Sequence, residues 1–219
     1  VPEPMASRKE LHSDSRGVTP EEHHWIRSVI GSLSYYADHT KYEMSAAVNI
    51  IAQTVASPTQ GTIKALRRVM GWLATDGVWN KVYWCTRLKN NHWDTFVDSD
   101  WAGDQQYGNS RSRTGVIILL NGLPVFWRSN KQPETAISSA QAEIYAMSEA
   151  CKDIRLRLWV ADELGLQPTY PTDVKVDNQS GVYFQNKMNP ATKLKGVFDL
   201  RMNWVQELTD RKIITAVKV

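Results

Sequence analysis

The first third of the chain carries apolar residues at helical spacing. Thr19, Pro20 and Glu22 form a capping-box start, and apolar residues then recur every three or four positions. A second apolar segment runs over 44–56 and ends at Ser57-Pro58, and a third covers about 60–75, with Ile63, Leu66, Met70 and Leu73 on one side. Three helices are therefore predicted.

The pattern changes after residue 77 to short runs of β-branched and aromatic residues. The predicted strands are 82–85, 95–97, 115–120, 123–127, 174–176 and 213–219. Asn121-Gly122 is a strong hairpin signal between two of them. Ser138 and Gln141 resemble a capping box for a long helix that ends at Gly165.

This order of elements divides the chain into three parts. Residues 1–18 lack periodicity and are rich in Pro, Ser and Gly, which predicts a flexible arm. Residues 19–77 are predicted to form a helical domain. Residues 78–219, with a short helix near 181–186 and another over about 199–212, are predicted to form an α/β domain with a mixed sheet.

The amino-acid composition limits the class of protein and the residue types available for catalysis. The chain has 219 residues, 42% of them hydrophobic, and a net charge of +3, which is typical of a globular protein. It contains no apolar run of about 18 residues and no signal-peptide pattern, and its two cysteines, Cys85 and Cys151, favour a reducing, intracellular location. All five histidines precede residue 93, so acid–base or metal chemistry in the C-terminal part of the chain beyond that point has to depend on carboxylates.

Three carboxylates stand out against that background. Asp98 and Asp177 each follow an apolar strand, and Glu143 lies early in the long helix. Singly, each is typical of a solvated surface position. Together on one face they would repel one another unless cations neutralised them, and an all-oxygen ligand set favours Mg²⁺ or Mn²⁺. A pair of such ions cleaves phosphodiesters without histidine or serine.

The same residues carry a resemblance to a known family. The motifs that carry it are Phe96-Val97-Asp98-Ser99-Asp100-Trp101-Ala102-Gly103-Asp104, Trp127-Arg128-Ser129-Asn130-Lys131-Gln132, Ser138-Ser139-Ala140-Gln141-Ala142-Glu143, Val176-Asp177-Asn178 and, upstream, Ser57-Pro58-Thr59 and Leu66-Arg67-Arg68-Val69-Met70-Gly71-Trp72. With these motifs the α/β part resembles the ribonuclease H domain of copia-type retrotransposon Pol polyproteins, and the helical part resembles the connection that joins it to the polymerase.

The resemblance implies a fold and an activity. The fold is a ribonuclease H-like mixed five-stranded sheet flanked by helices. The activity is endonucleolytic hydrolysis of the RNA strand of an RNA–DNA hybrid, with two Mg²⁺ or Mn²⁺ ions held by Asp98, Glu143 and Asp177, and Asp100 as an alternate ligand. The expected partners are the hybrid and the polymerase part of a reverse transcriptase. The expected location is the cytoplasm, in a virus-like particle, or the nucleus.

The chain also departs from the family pattern. It lacks the Tyr-x-Asp-Asp turn of the polymerase, and it ends at Val219, before the helix that bears the family's fourth carboxylate. Asp199 is predicted to cap a helix in preference to replacing that ligand. The chain is therefore expected not to polymerise DNA by itself, and its activity depends on whether three carboxylates suffice.

Basic and polar residues supply candidate nucleic-acid contacts. Lys64, Arg67 and Arg68 share one side of the third helix, where they could follow phosphates or form a solvated face. The other candidates are Arg111, Arg113, Arg128, Lys131, Asn178 and Gln179. Tryptophans at core spacing are predicted to serve packing and not base stacking: Trp25, Trp72, Trp159 and Trp204.

Three hypotheses remain open from the sequence. The first is a metal-dependent ribonuclease H, which the retained Asp98, Glu143 and Asp177 favour. The second is a catalytically impaired or domesticated retroelement fragment that binds nucleic acid or protein, which the missing fourth carboxylate favours. The third is a related two-metal nuclease or integrase-like domain, which the upstream helical part disfavours.

Overall fold

A computed structural model of the protein describes residues 4, 8–75, 91–103, 110–166, 168–177 and 197–219. The chain divides into two compact units, Val1–Val82 and Tyr83–Val219. The division falls in the stretch 76–90, outside the described residues, five positions after the predicted boundary at residue 77. The predicted strand at 82–85 and the short helix near 181–186 also lie outside them.

The first unit is helical, as its apolar periodicity predicts. Its α-helices are α1 (Arg8–Leu11), α2 (Pro20–His39), α3 (Ser45–Ala52) and α4 (Gln60–Thr75), with a 3₁₀ turn at Tyr42–Met44. The capping box of α2 is confirmed: the Thr19 hydroxyl accepts from the Glu22 N–H, and the Glu22 carboxylate accepts from the Thr19 N–H. The core of the unit includes Ile26, Met44, Ile51 and Leu66, each at most 1% exposed.

The prediction of a flexible arm at 1–18 is wrong for residues 8–18. Leu11 is 4% exposed and belongs to the core of the helical unit. The backbone then follows the start of α4, because the Gln60 N–H donates to the Arg16 carbonyl and the Gly61 N–H to that of Asp14. Gly61 permits this approach, since a Cβ there would lie 2.1 Å from the Leu11 carbonyl oxygen. The low periodicity of this segment reflects irregular backbone and not absence of packing.

The second unit is built on one mixed sheet. Its strands are β1 (Trp93–Asp100), β2 (Arg113–Leu120), β3 (Leu123–Lys131), β4 (Thr172–Val176) and β5 (Ile214–Lys218). The order is β3-β2-β1-β4-β5, antiparallel across β3-β2-β1 and parallel across β1-β4-β5. Two helices, α5 (Ser139–Glu163) and α6 (Val197–Asp210), accompany it. The predicted mixed five-stranded sheet flanked by helices is confirmed.

Local signals fix the turns of this unit. Asn121 and Gly122 both adopt positive φ, 52° and 80°, as a two-residue hairpin turn between β2 and β3 requires. The Ser138 hydroxyl caps α5 by accepting from the Gln141 N–H, and Gly165 at φ 71° follows the end of the helix. Only half of the capping box forms, because the Gln141 side chain accepts from the Ile137 N–H instead of from Ser138.

One face of the sheet packs against α5 and α6. Side chains alternate along β1, so that Trp93 and Val97 enter this core while Phe96 and Asp98 lie on the opposite face. Cys151 and Ile154 of α5 are at most 1% exposed against it.

Two of the predicted core positions are wrong. Trp159 is 62% exposed on α5, and Met70 is 42% exposed on α4, where Val69 and Trp72 fill the interior instead. Trp72 is buried, and Trp25 and Trp204 are partly buried against the cores of their units, as predicted. Asp199 is the third residue of α6, at the start of a helix as predicted, and its capping role stays a prediction.

Candidate active site

Two of the three predicted ligands lie on adjacent parallel strands. Val97 of β1 is the register partner of Val176 of β4, so Asp98 and Asp177 occupy the next position on each strand. Asp177 directly follows β4, as predicted. Asp98 does not end β1, because Ser99 and Asp100 continue the strand and pair with Thr114 and Arg113 of β2.

The pKa of Asp98 is affected by the other candidate ligands. The pKa of the Asp98 carboxyl is raised above its ordinary value, first because the surrounding protein displaces part of its hydration and next because of the negative charge of Asp177. The charges of Asp100 and Glu143 raise it further, while a hydrogen bond with the Ser99 backbone opposes them. Three other carboxylates therefore act on Asp98 near the carboxyl ends of β1 and β4.

Glu143 reaches this region from the second turn of α5, and two side chains hold that end of the helix on the sheet. Gln132 is only 2% exposed. Its side-chain Nε2 donates to the Ala142 carbonyl at 2.9 Å and to the Thr114 hydroxyl at 3.0 Å. The Trp101 Nε1–H donates to the Ala136 carbonyl at 3.1 Å, just before α5 begins. Gln132 and Trp101 both lie within the motifs that carry the family resemblance, but the sequence did not indicate that they hold α5.

Another group of possible ligands lies at the opposite end of the same strands. Donor atoms of His92, Asp94 and Asp173 are within 4.8 Å of one another. In the part of the chain that the structure describes, no other set of three histidine, cysteine or acidic side chains brings its donor atoms this close together. Asp94 precedes Asp98 by four residues, or about 13 Å along a strand. The Lys175 ammonium already contacts the Asp94 carboxylate at 2.8 Å, so these charges balance one another. Asp98, Glu143 and Asp177 are less tightly gathered than this group, because their donor atoms do not all lie within the same 4.8 Å.

Several predicted nucleic-acid contacts have partners within the protein. Lys64 donates to the Asp14 carboxylate at 3.1 Å. Hydrogen bonds from Arg16 and, next, from Lys64 lower the pKa of Asp14 well below its usual range. Arg113 is 8% exposed and donates to the Ser129 carbonyl.

Arg128 also serves the fold. It lies on the sheet face that packs under α5, where its guanidinium contacts Asp153 at 2.9 Å and Glu149 at 3.6 Å. The remaining candidates are more accessible or fall elsewhere: Arg67 and Arg111 are exposed, Arg68 and Lys131 are half-buried, and Asn178 and Gln179 lie outside the described residues. In the described ranges no helix has the length and hydrophobicity needed to cross a bilayer.

Comparisons with known proteins give consistent matches. The chain is 30% identical over 185 residues to the Retrovirus-related Pol polyprotein from transposon RE1 of Arabidopsis thaliana, which covers 84% of this chain and 12% of the polyprotein. It is 26% identical over 194 residues to the corresponding polyprotein from transposon TNT 1-94 of Nicotiana tabacum, which covers 88% of this chain and 14% of that one. The chain thus spans about an eighth of the length of these relatives. No protein-family model matches it.

One shorter relative and two solved structures complete the comparison. The chain is 33% identical over 126 residues to the Secreted RxLR effector protein 161 of Plasmopara viticola, covering 58% of this chain and 86% of that protein. The foamy viral protease-reverse transcriptase in complex with RNA/DNA hybrid matches 97% of this chain and 27% of its own, with a TM-score of 0.50 and 11% identity, and so agrees in fold alone. LC11-RNase H1 matches 59% of this chain and 84% of its own, at 14% identity and a TM-score of 0.42.

Proposed function

The chain belongs to the family of copia-type retrotransposon Pol polyproteins and has a ribonuclease H-like fold, and from this premise we propose that it hydrolyses the RNA strand of RNA–DNA hybrids endonucleolytically. In this proposal it is the ribonuclease H part of a reverse transcriptase. Its partners would be the hybrid and the polymerase part of the longer protein. The hybrid in the foamy viral complex supports this choice of substrate by likeness of fold only.

The gathering of Asp98, Asp177, Asp100 and Glu143 carries the proposal. Burial and then the negative charges of the three neighbours raise the pKa of Asp98, and a bound cation would offset this unfavourable environment for its carboxylate. All the donors are carboxylate oxygens, which fit Mg²⁺ or Mn²⁺ better than zinc. Bound by Asp98, Glu143 and Asp177, with Asp100 as an alternate, two such ions would supply an activated water and charge neutralisation at the scissile phosphate.

The contribution of the chain itself is to hold these carboxylates in place. Asp98 and Asp177 are fixed by the parallel register of β1 and β4, which the Val97–Val176 pair maintains next to them. Glu143 is fixed less directly, through the hydrogen bonds that tie the start of α5 to the sheet. Catalytic groups need positions accurate to a fraction of an ångström, so this support matters as much as the carboxylates do.

The proposal is tested by incubating the purified chain with an end-labelled RNA–DNA hybrid in Mg²⁺ and in Mn²⁺. We expect internal cleavage of the RNA strand, lost in Asp177→Asn and on addition of EDTA. Asp210→Asn, which removes an exposed carboxylate at the end of α6, is the matched control and should cleave normally. Metal-dependent binding of hybrid without any cleavage by the wild type would contradict the catalytic proposal.

A second candidate is a non-catalytic module that binds nucleic acid or protein. The specific observation in its favour is the 33% identity with a protein named as a secreted effector, of which this chain spans 86%. That relative is not named as a polyprotein. The same experiment separates the two candidates. A non-catalytic module should bind the hybrid or a partner without cleaving it, and Asp177→Asn should change its affinity only by the effect of removing one negative charge.

A further inference from the structure

The C-terminal half of α5 exposes large apolar side chains to solvent, between exposed charged residues. Opposite the buried residues Ile154, Leu158 and Ala161, the helix exposes 53% of Leu156, 62% of Trp159 and 44% of Val160. An exposed tryptophan flanked by aliphatic side chains is typical of an interaction surface and unusual on a surface that faces water alone.

Charged residues bound this surface at both ends. Lys152 lies one turn before Leu156 and contacts the Glu149 carboxylate of its own helix at 2.6 Å. Glu163 lies one turn after Trp159, and both Lys152 and Glu163 are exposed. Lys152, Leu156, Trp159 and Glu163 are separated by four, three and four residues, which places them along one side of a helix. We call these four residues the α5 stripe: a cation, two large apolar groups and an anion.

The α5 stripe is complementary to itself when reversed. In an antiparallel pair of α5 helices, a twofold axis midway between residues 156 and 159 sets the register. Leu156 then faces Trp159 of the partner subunit, and Lys152 faces Glu163 of the partner subunit. The two equivalent ion pairs flank two equivalent apolar contacts, as a closed twofold interface requires.

A parallel pairing has no such match. It would bring Lys152 against the same lysine and Glu163 against the same glutamate, and like charges face to face are unfavourable. The charge order along the stripe therefore selects the antiparallel arrangement. It also favours a second copy of this chain over a partner of unrelated charge pattern.

We propose that the α5 stripe is a homodimerisation surface, through which two copies of the chain pack antiparallel along α5. The contact involves about three helical turns on each side, so it is small, and we expect weak association with a dissociation constant in the micromolar range. This inference is independent of the proposed hydrolysis, because Glu143 and the other proposed ligands lie at the other end of the helix or on the sheet.

The test is sedimentation velocity of the full 219-residue chain over a range of concentrations, with thermal unfolding of each variant to verify that it is folded. We expect the wild type to change from monomer to dimer as concentration rises. Trp159→Glu should raise the dissociation constant by at least about tenfold, the scale of losing a central contact. Leu200→Glu is the matched control, since Leu200 is 69% exposed on a different helix, and should dimerise as the wild type does.

Charge exchange tests the register. Lys152→Glu and Glu163→Lys should each weaken dimerisation, because each places like charges opposite one another, and the double variant should restore it. A wild type that remains monomeric at all concentrations overturns the proposal, whether another part of the chain or nothing covers the stripe. If Trp159→Glu dimerises with the same dissociation constant as the wild type, the α5 stripe is not the dimerisation surface. If the double variant does not regain the dimerisation of the wild type, the antiparallel arrangement is contradicted.

Discussion

Gln132 Nε2 donates to the Ala142 carbonyl at 2.9 Å, one residue before Glu143. The same nitrogen donates to the Thr114 hydroxyl of β2, so a single buried amide links the sheet to the first turns of α5. Buried polar groups of this kind are costly when they lose a partner, which makes the link sensitive to substitution.

Replacing Gln132 by Met should weaken both the fold and the site. The substitution keeps the length of the side chain but leaves the Ala142 carbonyl without this donor, so the free energy of unfolding should fall by about 1–3 kcal/mol. Because Glu143 follows Ala142, the Mg²⁺ concentration for half-maximal cleavage should also rise. Urea unfolding and a Mg²⁺ titration measure the two effects. A variant with lowered stability and an unchanged Mg²⁺ requirement would restrict Gln132 to a structural role.

Neutralising Asp98 should separate stability from activity. Since partial burial and, next, the neighbouring carboxylates oppose the ionisation of Asp98, Asp98→Asn should melt at a higher temperature than the wild type in EDTA. Added Mg²⁺ should stabilise the wild type more than the variant, because the variant has lost a ligand. Cleavage should fall by more than about a hundredfold. A variant that melts lower in EDTA would show that the repulsion is not the dominant effect of this carboxylate.

Arg128 and Arg67 should respond differently to loss of charge. Arg128 forms ion pairs with Asp153 and Glu149 beneath α5. Arg128→Gln leaves these two partly buried carboxylates without their cation, so it should lower the free energy of unfolding by about 1–3 kcal/mol. It should leave the salt dependence of hybrid binding nearly unchanged.

Arg67 is exposed on α4 and provides the comparison. Arg67→Gln should preserve stability and reduce the salt slope of binding by about one if this side contacts phosphate. Binding titrations at several salt concentrations measure both variants. An altered slope in Arg128→Gln with normal stability would return Arg128 to the list of nucleic-acid contacts.

Cys151 should be chemically silent in the folded protein. Burial raises the pKa of its thiol from 9.0 to about 12, so at pH 8 the thiolate that reacts with disulfide reagents is scarce as well as inaccessible. In a Cys85→Ser background we expect no reaction with a disulfide reagent until the chain is unfolded. Rapid reaction under native conditions would contradict the buried position.

The same shift fixes the sign of an alkaline effect. The unfolded thiol loses its proton near pH 9 and the folded one only near pH 12, so the unfolded state holds fewer protons in between. The contribution of Cys151 to stability is therefore complete below pH 9 and declines as the pH rises toward 12. Cys151→Ala should remove this part of the alkaline slope in urea unfolding measured as a function of pH.

Much of the second unit was predictable because its signals are local. The Asn121-Gly122 turn, the Ser138 cap and the Gly165 stop depend on the conformations of neighbouring residues, and all three appear where the sequence places them. The candidate ligands were also named from the sequence, since Asp177 follows its strand and Glu143 lies early in its helix. Their role as metal ligands stays a prediction.

Burial and pairing could not be read from the same patterns. The spacing of Trp159 fits a core face as well as a solvent face, and only the position of the sheet beneath α5 decided that it is exposed. Arg128 and Lys64 carry the charge expected of phosphate contacts, yet the acids that bind them are 25 and 50 residues away along the chain. The packing of Leu11 against the helices was hidden for the same reason.

The sequence by itself determined the types of element, their order, their caps and turns, and which acids could gather, because these depend on backbone preferences within a few residues. The tertiary structure alone decided that Asp98 lies within β1 and not at its end, that Gln132 ties β2 to α5, and that α5 presents an apolar stripe to solvent. Each of these features depends on which segment, distant along the chain, packs against the residue. The free energy gained by burying a side chain depends on that neighbouring segment as much as on the residue itself.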